Sequence, residues 1–325
     1  HLAPMAVSLR FRVDVHEFGG RVRSDGNDAR VGQRVGCRDA DLVIRIENAG
    51  EASHAGGFEG YRAVASSTRR AWLRVPTEYA AGVLTLRHRP REDVCYFAYF
   101  VPYPAERHAD LIARCAADER VRLEVLGTTL DGRDLDCLRV GHGPLQIFCV
   151  GRQHPGETMA EHWMEGFLER LLDQDAAVRD LLEAATFHVV PNMNPDGSAR
   201  GHHRTNAAGA DLNREWLEPS MERSPEVFLV RERMNAVGVD LCLDVHGDEQ
   251  LPYNFVVGPD GIPSLDTQRR ELLARFRRDL AARSPDFQTE RGYPPSKPGK
   301  ADLRLCANYV AETFGCLAMT LEMPF

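Results

Sequence analysis

The chain has 325 residues, a net charge of −8 and 43% hydrophobic residues, which suits about two domains with packed cores and excludes wholesale disorder. The negative charge argues against a general nucleic-acid-binding protein, and no apolar run approaches the roughly 18 residues that span a bilayer. The first residues do not show the basic and apolar pattern of a secretory signal, so we expect none. We therefore expect a cytoplasmic protein that binds neither nucleic acid nor membrane, while nothing in the sequence indicates an oligomeric state.

The first hundred residues are predicted to form a small all-β sandwich domain. Short turns separate the predicted strands, and no amphipathic helix interrupts them, which is typical of such a domain. The alternation of polar and apolar residues that predicts strands covers 7–15, 41–50, 71–79 and 82–90.

An α/β domain is predicted to follow. The apolar segment 94–104 ends in two prolines, and we interpret it as a hinge with domains over 1–104 and 105–325. The predicted helices cover 105–118, 158–172, 223–238, 265–282 and 302–314. The predicted strands are LEVLG, LDCLRVG, LQIFCVG, 187–192, 241–247, 254–258 and 317–323. Strands that alternate with helices indicate a mainly parallel or mixed sheet.

The eight cysteines are predicted to be reduced and buried. They form no C-x-x-C pair, and several lie in apolar strand-like runs such as QIFCV and LCLDV. A thiol in such a run packs as a small hydrophobic side chain. This interpretation is favoured over a disulfide framework.

Metal-competent side chains follow the ends of several predicted strands. His154 and Glu157 lie in GRQHPGE after strand LQIFCVG, His246 ends LCLDVHG, and Glu322 lies in LAMTLEM. Ligands of open α/β sheets bind beyond the carboxyl ends of the strands. Two imidazoles and one carboxylate are also a common set of catalytic zinc ligands, with the fourth position left to water. Each residue alone is weak evidence, because single histidines and H-x-x-E patterns are common in proteins without a metal.

A polar segment over 191–216 is a second indication of a site. It contains NPDG, then Arg204, then the run DLNR with Asn213 and Arg214, and it has no apolar period. Two guanidinium groups and an amide supply hydrogen-bond donors for a carboxylate and for a polarised carbonyl oxygen. The alternative is a solvated loop with a type I turn at NPDG. This segment alone leaves both interpretations open.

Five motifs occur in an order that resembles the zinc metallocarboxypeptidases, namely HPGE, NPDG, R…DLNR, D-x-HG and a late L-E. The details HPGET, DLNREW, DVHGDE and TLEMPF, behind a β-rich domain, are similar to the cytosolic carboxypeptidase branch and its bacterial relatives. The resemblance covers about residues 95–325 through motifs and 1–94 only in general character. It implies an α/β fold with a carboxypeptidase-like mixed sheet and flanking helices. It also implies a closing helix after the last strand, so we expect a truncated C-terminus.

The resemblance implies a catalytic role for five residues. One Zn²⁺ would be bound by His154, Glu157 and His246. Glu322 would be the general base that takes a proton from water and delivers it to the leaving amine. Arg204 would polarise the scissile carbonyl and stabilise the oxyanion.

Substrate binding is implied at a second group of residues. Asn213 and Arg214 would bind the free C-terminal carboxylate of a peptide or protein, which makes the protein an exopeptidase. The branch is associated with removal of glutamate, which requires a basic group at the floor of the specificity pocket, and Lys300 and Arg304 are the candidates. Only two of the 40 basic residues are lysines, so Arg304 is equally consistent with a solvated helix face.

The tyrosine that caps the substrate in this family has two candidates here, Tyr293 and Tyr309. Tyr309 is better explained as a packed helix residue, so we expect Tyr293. Two alternatives to a carboxypeptidase stay open, namely a zinc amidase that removes an acyl group from an amino acid and a catalytically inert peptide-binding module. The DLNR motif disfavours the amidase, and the complete set of ligand and base residues disfavours the inert module. Murein-peptide cleavage would favour a secreted protein.

Overall fold

The computed structural model describes residues 11–15, 22–24, 31–52 and 55–325. It divides into two compact units, His1–Pro102 and Tyr103–Phe325. The division therefore lies two residues before the predicted boundary at 104. Part of the predicted strand over 7–15 is outside the described residues.

The N-terminal unit consists of two antiparallel sheets. One has the order β1-β4-β8-β7 and the other the order β2-β3-β9-β5-β6. The strands are β1 (Phe11–Val15), β2 (Val22–Ser24), β3 (Val31–Val35), β4 (Leu42–Ile46), β5 (Val64–Ser66), β6 (Leu73–Arg74), β7 (Thr77–Ala80), β8 (Val83–His88) and β9 (Val94–Ala98). Side chains of both sheets, such as Leu84 from the first and Phe97 from the second, pack in one buried cluster. The expected β domain is confirmed as two layers around a core.

Two details of this unit differ from the sequence expectations. The segment predicted as a hinge begins with β9, which pairs with both β3 and β5, because its alternating Cys95 and Phe97 point into the core. The single strand predicted over 71–79 is divided at Val75–Pro76. Its first part pairs with β5 and its second part with β8, in the other sheet. Proline has no N–H to donate, so a continuous ladder through Pro76 is disfavoured.

The second unit is built on a seven-stranded mixed sheet of order β10-β11-β13-β12-β14-β16-β15. Strands β13, β12, β14 and β16 are parallel neighbours, whereas β11 and β15 pair with them antiparallel. The strands are β10 (Val121–Thr128), β11 (Asp134–Gly141), β12 (Leu145–Gly151), β13 (Ala185–Val190), β14 (Leu241–Asp248), β15 (Phe255–Val257) and β16 (Leu317–Pro324). The expected mixed sheet is confirmed.

Helices cover both faces of this sheet. They are α1 (Ala105–Ala116), α2 (Thr158–Leu171), α3 (Ala176–Ala184), α4 (Pro195–Arg200), α5 (Pro225–Val237), α6 (Thr267–Arg283) and α7 (Cys306–Phe314). Leu111, Met164, Val178 and Leu273 of α1, α2, α3 and α6 pack in one buried cluster. Side chains of α5 and α7 pack in a second cluster. Neighbouring residues of β14 alternate between the two clusters, as expected for a strand buried on both faces.

Three helical segments differ from prediction. Helix α3 was not predicted, and its N-terminus is capped by the Asp175 side chain, which accepts a hydrogen bond from the Val178 N–H. NPDG forms the start of α4 rather than a solvated turn, because the Asn194 side chain accepts from Gly197 N–H and Pro195 occupies the first turn. Helix α7 begins at Cys306, so Arg304 precedes the helix.

All eight cysteines are free and buried, which confirms the interpretation of their pattern. No helix within the described ranges is both long and apolar enough to cross a bilayer.

Candidate metal centre and active site

Three parallel strands bring the candidate ligands together. His154 lies in the loop after β12, and Glu157 is the residue before α2. His246 lies near the end of β14 and is in register with Glu322 on β16. Because β14 pairs with β12 on one side and β16 on the other, residues far apart in sequence meet at one edge of the sheet.

The ring nitrogens of both histidines face the same carboxylate. His154 Nδ1 lies 2.5 Å from Glu157 Oε1, and His246 Nδ1 lies 2.8 Å from Glu157 Oε2. The two Nδ1 atoms are 3.2 Å apart. All three side chains are buried. Among the described residues, these three form the group of His, Cys, Asp or Glu side chains that lie close enough together to hold a metal ion.

The donor set fits zinc. Two nitrogen ligands of a tetrahedral zinc, at about 2.0–2.1 Å from the metal, are roughly 3.3 Å apart, close to the Nδ1 separation here. The opposite nitrogen of each ring faces a carboxylate, since His154 Nε2 lies 3.0 Å from Asp211 Oδ1 and His246 Nε2 lies 2.9 Å from Asp244 Oδ2. A carboxylate in this position keeps the proton on Nε2 and leaves the Nδ1 lone pair for a metal.

Charged neighbours shift the pKa values of both Glu157 and His246. Burial raises the pKa of Glu157, but His154 and His246 outweigh it and hold that pKa well below its usual range. Burial lowers the pKa of His246, while Asp244 and Glu157 raise it well above the usual value. The pocket therefore favours an ionised Glu157, which attracts positive charge, and a bound metal cation would replace the imidazolium protons.

Glu322 is buried beside this group and one of its oxygens has no protein partner. Its Oε2 atom accepts no hydrogen bond from any residue that the structure describes. Burial raises the pKa of Glu322 well above its usual value, and Glu157 adds to this effect while His246 opposes it. A buried carboxylate oxygen without a protein partner is expected where a ligand or water completes its hydrogen bonding.

The Asp211 carboxylate binds Arg204 and also contacts the candidate ligand His154. Its Nε donates to Asp211 Oδ2 at 2.8 Å, and the other oxygen of Asp211 faces His154. Burial lowers the pKa of Arg204, but Asp211 and Glu157 raise it above the usual value, so the guanidinium is charged. Its bond to Asp211 uses Nε and leaves the two Nη groups for a substrate.

Asn213 and Arg214 lie in a short 3-10 turn whose N-terminus is capped by Asp211, which accepts from Asn213 N–H at 3.1 Å. The Asn213 amide is engaged by the protein. Its Oδ1 accepts from Cys306 N–H at 2.9 Å, and its Nδ2 lies 3.3 Å from His246 Nε2. Arg214 is half-buried and donates to the Asn213 carbonyl through Nη1. The structure thus brings both residues to the metal centre but presents Arg214 more openly.

The two tyrosines occupy different environments. Tyr293 is 46% exposed, its hydroxyl donates to Asp248, and its ring packs edge-on against Phe255. Burial of the hydroxyl and the nearby Glu322 raise the pKa of Tyr293 far above its usual value, so the phenol is neutral. Tyr309 is buried in α7 and lies under the Arg231 guanidinium, 4.3 Å from its ring centre. Of the two, Tyr293 is near the candidate base.

Lys300 and Arg304 are exposed, which contradicts a position at the floor of a pocket. Arg304 donates from Nε and Nη2 to the carboxylate of Asp302 at 3.0 and 2.8 Å, and its side chain is 57% exposed. The charges of Asp302 and Asp211 both act on it, so it lies near the substrate-binding turn. Lys300 makes no side-chain contact with the site residues among the described interactions.

Sequence reasoning missed the residues that support the ligands. Asp211 and Asp244 face the outer nitrogens, and the signal for them was present, since each lies two or three residues from a residue that the motifs singled out. Gln153 and Trp216 lie equally close to motif residues, in GRQHPGE and DLNREW, but their residue types did not single them out, because glutamine and tryptophan are not typical metal ligands. His202 and His203 lie in the loop after α4.

A buried charge network supports the HPGE loop. Arg152, in the left-handed region at φ 56°, donates to Pro155 O at 3.0 Å and to Glu161 Oε2 at 2.5 Å. Glu161 lies one helical turn after Glu157 and also contacts His108 Nδ1 at 2.5 Å. The loop that carries two candidate ligands is thereby tied to α2.

We expect His108 to stabilise the fold in a pH-dependent way. Burial lowers its pKa, but Asp136 and Glu161 raise it from 6.5 to about 9. The charged form is therefore favoured in the folded state, with a contribution of about 3 kcal/mol that is complete below pH 6.5 and is lost as the pH rises through 9. The difference in free energy of unfolding between wild type and His108→Gln, measured with urea, should shrink from about pH 6 to about pH 10. A matched His142→Gln variant, at an exposed histidine, should show no such trend, and a constant difference for His108→Gln would contradict the prediction.

Comparison with known proteins identifies relatives of both units. Residues 110–324 match the zinc carboxypeptidase family, and residues 33–100 match the cytosolic carboxypeptidase N-terminal domain. An uncharacterized protein of Zymomonas mobilis is 51% identical over 90% of this chain and 77% of its own length. Human cytosolic carboxypeptidase 4 is 33% identical over 51% of this chain, and the match spans only 17% of that protein.

Solved structures are similar over nearly the whole chain. A metallo-carboxypeptidase from Burkholderia cenocepacia is 40% identical, with a TM-score of 0.88, and the match covers 98% of this chain and 90% of that one. A metallo-carboxypeptidase from Pseudomonas aeruginosa, in complex with (2-guanidinoethylmercapto)succinic acid, is 42% identical, with a TM-score of 0.89 and coverage of 97% and 90%.

Proposed function

The chain belongs to the zinc carboxypeptidase family, and on that premise we propose that it removes C-terminal residues from peptides or proteins with one zinc ion bound by His154, Glu157 and His246. The observation that carries the proposal is the pair of Nδ1 atoms, 3.2 Å apart, that face the two oxygens of Glu157. The match to cytosolic carboxypeptidases supports a cytoplasmic location as part of the proposal.

The side chains around the ligands suit hydrolysis of a peptide bond. Zinc, when bound, supplies Lewis-acid chemistry that lowers the pKa of water and polarises a carbonyl. Glu322 takes the proton of the attacking water and transfers it to the leaving amine nitrogen. Its raised pKa makes Glu322 a stronger base than an ordinary carboxylate, which favours the first transfer. Arg204 donates from Nη to the oxygen on which negative charge develops.

Selection of the chain end is assigned to the turn after Asp211. Arg214 and the Asn213 Nδ2 amino group bind the free terminal carboxylate, and Asp211 holds both residues in place through the turn. Tyr293 closes over the substrate from the other side, where its hydroxyl now donates to Asp248. Asn213 is uncharged and its oxygen already accepts from Cys306 N–H, so Arg214 supplies most of the charge recognition.

The test is release of the last residue from a short peptide with a free C-terminus. Activity should disappear after chelation, return with one equivalent of zinc, and be absent on the same peptide with an amidated C-terminus. An N-acyl amino acid distinguishes the amidase alternative. Cleavage of the N-acyl amino acid without cleavage of the peptide would overturn the carboxypeptidase proposal, and zinc binding without either activity would favour the inert module.

We also propose a preference for acidic C-terminal residues. Arg304 supports it, because this guanidinium lies near the substrate-binding turn and the charges of Asp302 and Asp211 act on it. The exposure of Arg304 and its pair with Asp302 weaken the expected selectivity, since solvent screens such contacts.

Arg304→Ala is expected to lower the preference for glutamate over glutamine by about two- to tenfold with little change in the overall rate. The matched control is Lys300→Ala, which removes an exposed cation of the same segment and should leave the preference unchanged. The measurement is kcat/KM on peptides that end in Glu, Gln, Leu and Lys. A wild-type preference for Leu or Lys would refute the acidic preference and leave the zinc carboxypeptidase assignment in place.

A further inference from the structure

A fully buried hydrogen-bond chain ends at a carboxylate that lies beside the outer nitrogen of one candidate ligand. Trp216 Nε1 donates to Gln153 Oε1 at 2.8 Å, and Gln153 Nε2 donates to Asp244 Oδ1 at 2.8 Å. The other oxygen of Asp244 lies 2.9 Å from His246 Nε2. Trp216, Gln153 and Asp244 are each 0% exposed.

The donor and acceptor groups of Trp216, Gln153 and Asp244 allow only one direction for these hydrogen bonds. An indole N–H only donates, so it requires the carbonyl oxygen of the Gln153 amide. An ionised carboxylate only accepts, so Asp244 requires the amide N–H₂. The amide of Gln153 therefore has a single satisfactory orientation between Trp216 and Asp244, and this orientation holds the second oxygen of Asp244 toward His246.

Two amide nitrogens also lie along the outer edge of the His246 ring. Asn213 Nδ2 and Gln153 Nε2 each lie 3.3 Å from His246 Nε2. The Asn213 amide is itself oriented by Cys306 N–H, which donates to its oxygen. The inner nitrogen, Nδ1, is left facing Glu157 and His154, so protein groups surround the ring on one edge and the candidate metal position lies at the other.

We propose that Gln153 and Trp216 are positioning residues of the metal centre. They hold Asp244 so that His246 keeps its proton on Nε2 and directs the Nδ1 lone pair at the metal. The inference rests on the proposed function in one respect, that His246 is a zinc ligand. Trp216 lies two residues after Arg214, and its backbone N–H donates to the Arg304 carbonyl at 3.2 Å. The same hydrogen-bond chain therefore connects the substrate-binding turn to the candidate metal ligand His246.

The test uses two substitutions in the full-length protein, each of which breaks the hydrogen-bond chain at a different point. Gln153→Met removes both hydrogen bonds with little change in volume, and Trp216→Phe removes only the indole donor. Each is expected to weaken zinc binding about ten- to hundredfold in competition with a chromophoric chelator. The visible spectrum of the cobalt(II)-substituted protein should also change, because the geometry of the ligand changes. Trp163→Phe is the matched control, since that indole stacks on Phe167 in α2 outside this chain, and it should change neither readout.

The outcomes separate this inference from the proposed function. Wild-type zinc affinity and wild-type cobalt spectra in both variants would overturn the inference, and so would a loss of unfolding free energy with an unchanged cobalt spectrum. If one variant fails to fold, the other decides. Failure of the wild type to bind zinc, or unchanged zinc binding by His246→Ala, would instead overturn the proposed function.

Discussion

Glu322→Gln is expected to keep zinc and the fold and to lower kcat about a hundred- to ten-thousandfold. The amide has the shape of the carboxylate but cannot take a proton from water or return it to the leaving amine. The site tolerates a neutral group, because burial already favours the uncharged form of Glu322 and raises its pKa. The amide also fits the environment, since Oε2 has no partner in the described residues that the change would break.

The measurement combines kcat on a cleavable peptide with zinc content and the free energy of unfolding. Glu226→Gln is a matched control, because Glu226 is also buried, with a pKa raised to about 7 mainly by burial, and it lies outside the site. That variant should keep wild-type kcat. More than about a tenth of wild-type kcat in Glu322→Gln, with zinc retained, would move the general base to another residue.

His246→Ala is expected to reduce bound zinc from one ion per chain to about a tenth or less, and activity with it. The change removes one of three protein ligands, and it leaves Asp244 and Glu157 facing an empty volume where the imidazole stood. The one carboxylate and one imidazole that remain are a poorer set of ligands for zinc. Elemental analysis after gel filtration gives the zinc content directly.

A matched control comes from a histidine outside the ligand group. His202 Nδ1 lies 3.0 Å from the Thr205 carbonyl, in the loop after α4, so His202→Ala should keep one zinc per chain. His154→Ala provides a second ligand variant if His246→Ala does not fold. Full zinc content in both ligand variants would show that the metal is bound elsewhere, whatever the activity.

The sequence alone determined the type of each layer and the residues that carry the chemistry. Alternation of polar and apolar residues predicted the β-rich first unit, and alternation of strands with helices predicted the mixed sheet of the second. The position of His154 after a strand and of His246 at the end of another was readable because ligands gather at strand ends. Two further features were present in the sequence although our predictions there were wrong. Pro76 indicates that the strand predicted over 71–79 is divided, and the alternation in β9 indicates a strand where we predicted a hinge.

Only the tertiary structure decided which side chains support the ligands and which do not reach them. The parallel register of β14 and β16 places Glu322 beside His246, and no periodicity in the sequence specifies a register between distant strands. The partners of Gln153 come from β14 and from the segment after the 3-10 turn, so its role depends on contacts across the fold. Arg304 was a candidate by residue type, but its backbone position beside Asp302 turns it to the surface. Local sequence sets propensity and chemistry, whereas hydrogen bonds between distant segments depend on how the sheet and its loops are assembled.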